Sequence, residues 1–194
     1  MNMDLDKLFK ENDTLVSYKV LLENGYTKYQ IKKMVENKSI VKVCRGFYSL
    51  HNDLVDEFYS CQLNNSFMIY SNETALYLHN LTDRFPSTLS ITTKTGYHIR
   101  NKDLKVYYTA PDALDIGMIE ISSPQGNMIK VYDKERTICD IIKHKNRIDP
   151  QVYVQGLQSY FLNGDPDFRK LSKYSKLLNI QSKIMDIIEL YMRP

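Results

Sequence analysis

The stretch from Gly25 to Leu50, GYTKYQIKKMVENKSIVKVCRGFYSL, constrains the fold more than any other part of the chain. Thr27 is a favourable N-cap for a helix that runs to about Asn37. Ile40 to Val43 is apolar and β-branched, Arg45-Gly46 is suited to a hairpin turn, and Phe47 to Leu50 predicts a second strand. The stretch therefore predicts a short helix followed directly by a small β-hairpin.

Two further helices are predicted before this stretch. The first spans Asp4 to Asn12, with apolar residues at helical spacing. Asp13 or Thr14 can cap the second helix, whose apolar stripe begins at Leu15, and Gly25 is placed to end it. Three helices followed by a short hairpin is the layout of a winged helix-turn-helix, and a turn of about three residues fits that motif.

The third helix has two different faces. At about 100° per residue, Ile31, Met34 and Val35 point one way, whereas its lysines and Glu36 point the other way. In a helix-turn-helix the exposed N-terminal turn meets base edges, and lysines behind it meet phosphates. The candidate DNA-binding residues are Thr27, Lys28, Tyr29, Gln30, Lys32 and Lys33 on the helix, with Lys42 and Arg45 on the hairpin.

The charge is concentrated in this region. Residues from Thr14 to Leu50 include seven basic and two acidic side chains, a net charge of +5, so the remainder carries −2 of the chain's +3. Concentrated positive charge is the footprint of phosphate contacts. Two other interpretations stay open: an ordinary solvated helix face, or a winged helix that docks an acidic protein and does not bind DNA.

The rest of the chain predicts strands first and helices afterwards. Strands are expected at Leu89 to Thr93 and at Leu104 to Tyr108, with a hairpin around Pro124 to Asn127, and helices follow from Asp133. The fold class is therefore α+β: an N-terminal winged helix-turn-helix followed by a mixed α/β C-terminal domain that ends in a helical bundle. The predicted domains are residues 1–52 and 53–194.

Little in the second half predicts catalysis. Arg136 and Asp140 are four residues apart on one helix face and are expected to pair. Glu135 and Asp140 could serve a metal-dependent nuclease, but nuclease carboxylates usually converge from strand ends. His79 is expected to be a histidine that is hydrogen-bonded within the protein, and not a ligand of a metal. We therefore expect that the protein is not an enzyme and binds no metal or cofactor. A further basic run is expected to be a solvated helix face or a second partner surface; it consists of Arg169, Lys170, Lys173, Lys176 and Lys183.

Compartment signals are also limited. The three cysteines are widely spaced, without a metal-binding pattern, which favours reduced and buried thiols in a cytoplasmic protein. The charged N-terminus does not predict a signal peptide, and no run of about 18 apolar residues predicts a membrane span.

Three motifs, in order, resemble the AbiEi-type antitoxins of type IV abortive-infection toxin–antitoxin systems. The first is the stretch from Asn24 to Leu50. The second resembles the family's A-L-x-x-H-x-L-(S/T)-D-x-x-P pattern, and the third its E-R-T-x-x-D helix. The matching residues are Ala75, Leu76, His79, Leu81, Thr82, Asp83 and Pro86, and then Glu135, Arg136, Thr137 and Asp140.

The resemblance implies a function in phage resistance. Family members join a winged helix-turn-helix to an antitoxin domain and repress their own promoter by binding its inverted repeats, which predicts two copies on DNA. They also counter a nucleotidyltransferase-like toxin, without requiring a stable complex. DNA contacts would fall on the eight candidate residues, although Glu36 weakens phosphate contact by the last helical turn. Arg136 and Asp140 are expected to be scaffold.

Overall fold

The computed structural model describes residues 4–12, 14–50, 55–63 and 65–192. The chain divides into two compact units, Met1–Asn64 and Asn65–Pro194. The predicted boundary after residue 52 falls within residues 51–54, which lie outside the described residues. The chain is an α+β protein with two separate β-sheets, as the sequence predicted at this coarser level.

The first unit combines short helices with a small antiparallel sheet. Its elements are α1 (Leu5–Glu11), β1 (Val16–Ser17), α2 (Tyr18–Glu23), α3 (Lys28–Glu36), β2 (Ile40–Cys44), β3 (Phe47–Leu50) and α4 (Glu57–Gln62). The strand order is β1-β3-β2. Phe9, Val16, Leu21, Ile31 and Ile40 are buried in one core, which joins the three helices to the sheet.

The second helix begins later than predicted. Thr14 does not cap it, because Thr14 has a left-handed φ of 67° and Val16–Ser17 forms a strand paired with Phe47–Tyr48 of β3. This pairing keeps the backbone extended up to Ser17, whose side chain accepts a hydrogen bond from Val20 N. Leu15 is therefore outside the helix, and Asp13 lies outside the described residues.

The sequence also predicts a short helix at Asn52 to Tyr59, whereas α4 spans Glu57–Gln62. It begins at Glu57 because Asp56 caps it, accepting a hydrogen bond from Tyr59 N at 3.1 Å. The start of the predicted range lies outside the described residues.

The second unit is built on a mixed sheet. Its elements are β4 (Ile69–Tyr70), α5 (Asn72–Leu78), β5 (Leu89–Lys94), β6 (Leu104–Thr109), β7 (Met118–Ser122), β8 (Met128–Tyr132), α6 (Lys134–Lys143), α7 (Pro150–Phe161), α8 (Phe168–Leu177) and α9 (Gln181–Met192). The strand order is β6-β5-β4-β8-β7. The pairs β5–β6 and β4–β8 are parallel, whereas β4–β5 and β7–β8 are antiparallel.

Helix α6 is the centre of the second unit. It contacts α5, α7, α8 and α9, and all its residues from Glu135 to Ile142 are buried. Both α6 and α7 begin with a capping aspartate: Asp133 accepts a hydrogen bond from Arg136 N, and Asp149 accepts bonds from Gln151 N and Val152 N. The helical spacing of Ile138, Ile141 and Ile142 predicts that they face a core, and all three are buried, but the polar face of α6 is buried as well.

The three cysteines are not disulfide-bonded. Cys139 is buried, whereas Cys44 and Cys61 are only half-buried, so the expectation of buried thiols is correct for one of the three. Among the described residues, no helix has the length and apolar character needed to cross a membrane.

Candidate nucleic-acid interface

The first turn of α3 is held by a reciprocal cap. Thr27 Oγ1 accepts a hydrogen bond from Gln30 N at 3.2 Å, and Gln30 Oε1 accepts one from Thr27 N at 2.8 Å. Thr27 Oγ1 also donates to Gln30 Oε1 at 3.0 Å. This is a capping box, which satisfies two backbone N–H groups that the helix itself leaves without partners. The capping box defines the start of the helix, and Thr27 to Gln30 are all exposed there.

The predicted phase of α3 is confirmed. Ile31 is buried and Met34 and Val35 are half-buried against the core of the first unit. The opposite face is exposed, and its charges are partly engaged with one another. Lys32 Nζ lies 3.7 Å from Glu36 Oε1, and Lys33 Nζ lies 5.0 Å from the centre of the Tyr29 ring.

These contacts leave the lysines available to a polyanion. An exposed ion pair such as Lys32–Glu36 is worth roughly 0–1 kcal/mol, so a phosphate can replace the carboxylate at little cost. Tyr29 is 65% exposed and lies on the same face of the helix as these lysines.

The hairpin adds two exposed cations. Lys42 lies on β2 opposite Tyr48 of β3, and the register shifts between Lys42 and Cys44, which is a β-bulge. Arg45 lies at the turn beside Gly46, whose φ of 81° is one that glycine adopts without strain. Since α3 contacts β2, the helix and the base of the hairpin form one surface of the first unit.

The structure thus places all eight predicted DNA-binding residues at exposed positions of one unit. Lys38 was not among the candidates, although it is exposed between α3 and β2 with a φ of 61°. Its position between the helix and the hairpin was visible in the sequence and could have indicated it. The side-chain carbonyl of Gln30 already accepts hydrogen bonds in the capping box. This second role of Gln30 was not predicted from the sequence either.

The predicted pair in α6 is confirmed as a buried ion pair. Arg136 is only 1% exposed, and its Nε donates to Asp140 Oδ1 at 3.1 Å. Its Nη1 donates to the carbonyl oxygens of Ala113 and Ile116 at 2.9 and 2.8 Å, and its guanidinium lies 4.2 Å from the centre of the Tyr132 ring. Burial raises the pKa of Asp140, and the Arg136 charge opposes this effect. The arginine therefore joins α6 to the loop before β7.

Close packing around Arg136 requires a glycine. Gly117 has a φ of 77°, and a Cβ atom at this position would lie 2.6 Å from Arg136 Cβ. A side chain at residue 117 would therefore displace the guanidinium from its partners.

Lys170 differs from both expectations for the basic run, a solvated helix face or a second partner surface. Its Nζ lies 2.9 Å from Asp133 Oδ2 and 3.3 Å from Glu135 Oε2. Burial lowers the pKa of Lys170, but the hydrogen bond and charge of Asp133, with Glu135, outweigh this and raise it. Tyr174 and Tyr160 donate to the same two carboxylates, so Lys170 belongs to an inter-helix network. The other four members of the run are exposed.

The residues of the second motif are also structural. His79 Nε2 donates to Tyr132 O at 2.6 Å, and burial lowers the pKa of this histidine. Thr82 Oγ1 donates to Gln155 Oε1 at 2.7 Å, and Gln155 Nε2 donates to Asp83 Oδ1 at 2.9 Å. The loop after α5 is thereby fixed to α7.

Within the described part of the chain, no group of His, Cys, Asp and Glu has a metal-binding arrangement.

A comparison with solved structures finds a similar fold. The chain is similar to the crystal structure of the RV2827C protein from Mycobacterium tuberculosis, with a TM-score of 0.70 and 11% sequence identity. The match covers 97% of this chain and 80% of that chain. At this identity the likeness shows a shared fold alone. No protein-family model matches the sequence, and no curated protein matches it.

Proposed function

We propose that the first unit is a winged helix-turn-helix and that the protein is an autorepressing antitoxin of the AbiEi type. The observation that carries the DNA-binding proposal is the capped first turn of α3, which exposes Lys28 and Tyr29 beside further basic side chains. The order of helices and strands in the first unit supports the winged-helix assignment.

The contacts divide into two classes. Lys28, Lys33 and Lys42 supply affinity by neutralising phosphates and releasing counterions. Arg45, at the hairpin turn, reaches the backbone or the neighbouring groove. Thr27, Tyr29 and Gln30 lie on the turn that approaches base edges and supply sequence discrimination.

The cap limits what Gln30 can read. A bidentate contact to adenine needs both the side-chain carbonyl and the side-chain amide, but Gln30 Oε1 already accepts bonds from Thr27. While the cap persists, Gln30 offers base edges its Nε2 donor alone. That donor suits an acceptor such as guanine O6 or N7, or thymine O4.

The antitoxin part of the proposal rests on the AbiEi resemblance. Because Arg136, Asp140 and Glu135 are buried in scaffold contacts, neutralisation of the toxin falls to other, exposed residues of the second unit. The toxin would be a nucleotidyltransferase-like enzyme, countered without a requirement for a stable complex. Abortive infection, and hence phage resistance, is the biological setting that this function implies.

One experiment tests the DNA-binding proposal directly. The purified full-length protein is titrated with its own upstream promoter DNA and with scrambled DNA, each at two salt concentrations. We expect tighter binding to the promoter that weakens but persists at higher salt. Equal binding to both DNAs that vanishes at higher salt would reduce the surface to a non-specific basic patch.

A second function is favoured by exposed apolar groups on the same unit. Tyr29 is 65% exposed and Val41 is 38% exposed, and aromatic groups are enriched in the cores of protein interfaces. The alternative is a module that binds an acidic protein, including the toxin itself, without DNA. Co-purification of the toxin together with a promoter that is not shifted would favour it.

A further inference from the structure

The second unit has an open cleft with a cavity volume of about 420 Å³ at the C-terminal end of α6. This volume lies within the range of about 300–1,000 Å³ that is typical of small-molecule sites. Its apolar part consists of Ile142, Tyr153 and Ile187, contributed by α6, α7 and α9. The cleft thus offers an apolar floor where three helices meet.

The rim of this cleft is basic. Lys143, Lys145, Arg147 and Lys183 line it, with Asp186 as the acidic residue of the lining, which gives a net charge of +3. Residues 65–194 hold seventeen basic and fourteen acidic side chains, also a net charge of +3. The lining of this one cavity therefore carries a net charge as large as that of all these residues together.

Part of the rim is held in place before any ligand binds. Arg147 Nη2 donates to Val106 O at 3.2 Å, and its guanidinium lies 4.0 Å from the centre of the Tyr107 ring. Lys145 Nζ lies 5.3 Å from the centre of the Tyr153 ring, where the basic rim meets the apolar floor. Fixed cations lose less conformational entropy on binding an anion than mobile ones do.

His144 contributes an acceptor and no charge. Its Nδ1 lies 3.1 Å from Asn72 Oδ1, an acceptor, so Nδ1 carries the proton. Burial, with the charges of Lys143 and Arg147, lowers the pKa of His144 to about 4, so the ring is neutral near pH 7. In this tautomer Nε2 is a hydrogen-bond acceptor.

We propose that this cleft binds a nucleotide, either as a free nucleoside phosphate or as the terminal nucleotide of a single strand. The phosphates would lie among Lys143, Lys145, Arg147 and Lys183, and the base would cover Ile187 and Tyr153. His144 and Asp186 supply acceptors for base amino or ribose hydroxyl groups. This proposal is independent of DNA binding by the first unit.

The test is calorimetric titration of the full-length protein with four nucleoside triphosphates, inorganic tripolyphosphate, adenosine and a short single-stranded RNA. We expect at least one triphosphate to bind more tightly than tripolyphosphate, because the base adds contacts with the floor, and more tightly than adenosine. Binding of the RNA, with little binding of free triphosphates, would identify a strand end as the source of the nucleotide.

Paired variants assign the binding to the cleft. Lys143→Ala/Lys183→Ala removes two exposed rim cations and is expected to weaken nucleotide binding by about tenfold or more. Lys173→Ala/Lys176→Ala removes two exposed lysines of α8 outside the cleft and should change it by less than about twofold.

Three outcomes would overturn the proposal: no binding of any nucleotide, tripolyphosphate binding as tightly as the triphosphates, or equal loss in both double variants. Promoter binding by the cleft variant is a separate readout that should stay unchanged. A failure of the proposed DNA-binding function would therefore be distinguishable from a failure of this inference.

Discussion

Arg136 carries a positive charge inside the second unit, where it is compensated by Asp140 and two carbonyl oxygens. Replacing it by methionine would leave the Asp140 carboxylate buried without its counter-ion. We expect Arg136→Met to lower the free energy of unfolding by about 3–5 kcal/mol, measured by urea denaturation.

Two further variants locate the cause of that loss. Arg136→Met/Asp140→Leu removes both charges and should recover much of the stability, because an uncompensated charge no longer remains. Arg169→Met, at an exposed position of α8, should change the free energy of unfolding by less than about 0.5 kcal/mol. If Arg136→Met is as mild as Arg169→Met, the buried pair does not stabilise the fold.

His144 gives the second unit a pH dependence of known sign. Its pKa is lowered from 6.5 to about 4, so between these values the unfolded chain binds the proton more readily than the folded chain. The free energy of unfolding should therefore decrease as the pH falls from 6.5 towards 4, with no such loss above 6.5. We expect His144→Gln, whose amide can still donate to Asn72, to lack this part of the loss.

The measurement is urea denaturation of both proteins at about pH 7 and about pH 5. The wild-type protein should lose stability relative to His144→Gln at the lower pH, since contributions from all other titrating groups cancel in the comparison. A difference between the two proteins that does not change with pH would show that His144 does not titrate differently on folding.

Gln30 combines a structural and a proposed recognition role, which can be separated because glutamate also completes a capping box. Gln30→Glu keeps the acceptor for Thr27 but removes the Nε2 donor, whereas Gln30→Ala removes both. We expect the free energy of unfolding to fall by about 0.5–1 kcal/mol for alanine alone. Both variants should relax the DNA preference at one base position by about 1 kcal/mol, as for a single hydrogen bond.

The DNA readout is the ratio of promoter affinity to the affinity for a promoter substituted at each position in turn. The ratio removes the general repulsion between glutamate and phosphates. An unchanged ratio at all positions would place Gln30 outside the base contacts, with the cap as its only role.

At the scale of the element, the lysines of α3 predict how the affinity for DNA should depend on salt concentration. Lys33→Ala should weaken binding to all DNA sequences alike and lower the salt slope by about one unit. Lys173→Ala on α8 is the matched control and should leave the slope unchanged. A slope lowered equally by both variants would revive the second polyanion surface that the sequence left open.

Glu36 predicts a change in the opposite direction. Its Oε1 lies 3.7 Å from Lys32 Nζ, so it offsets one cation of the helix. We expect Glu36→Gln to strengthen binding to all DNA sequences, by on the order of 0.5 kcal/mol at low salt. Fluorescence anisotropy on promoter and scrambled DNA would measure this, and unchanged affinity would show that the last turn of α3 lies away from phosphates.

The elements that could be predicted from the sequence are those fixed by local chemistry. Helix α3 has an apolar face, the cap Thr27 and a hairpin turn after it, and the structure confirms all three. The predicted start of α2 was wrong because β1 pairs with β3, about thirty residues later in the chain. No local sequence pattern predicts that pairing. Strand β4 has only two residues, too few for an alternating pattern.

The candidate site was predictable to a similar extent. The exposed face of α3 follows from periodicity, and the capping box was available from the Thr27-x-x-Gln30 spacing itself. Lys170 was not predictable, because its partners Asp133 and Glu135 are more than thirty residues away in the sequence. The basic cleft likewise joins residues of α6, α7 and α9 that are far apart in the sequence, so no local pattern predicts it.

At the scale of the whole molecule, each of the two units has its own hydrophobic core and its own basic region. Phe9, Leu21 and Ile31 lie in one core, and Leu76, Ile138 and Leu157 lie in the other. The +5 segment from Thr14 to Leu50 lies entirely within the first unit, whereas the basic cleft lies in the second. Variants can therefore test the proposed duplex binding and the proposed nucleotide binding separately.

The small size of the first unit limits the number of contacts it could make in the proposed DNA complex, and this predicts the stoichiometry of that complex. If α3, with its nine residues, and the hairpin bind DNA as proposed, they would reach a single half-site, and specific sites for such modules commonly pair two half-sites about 10–10.5 base pairs apart. We therefore expect two copies of the chain on an inverted repeat of the promoter, one in each half-site. Native mass spectrometry of the complex at saturating protein measures this directly. A DNA with one half-site scrambled should bind one copy, and a symmetric site that binds only one copy at saturation would contradict the prediction.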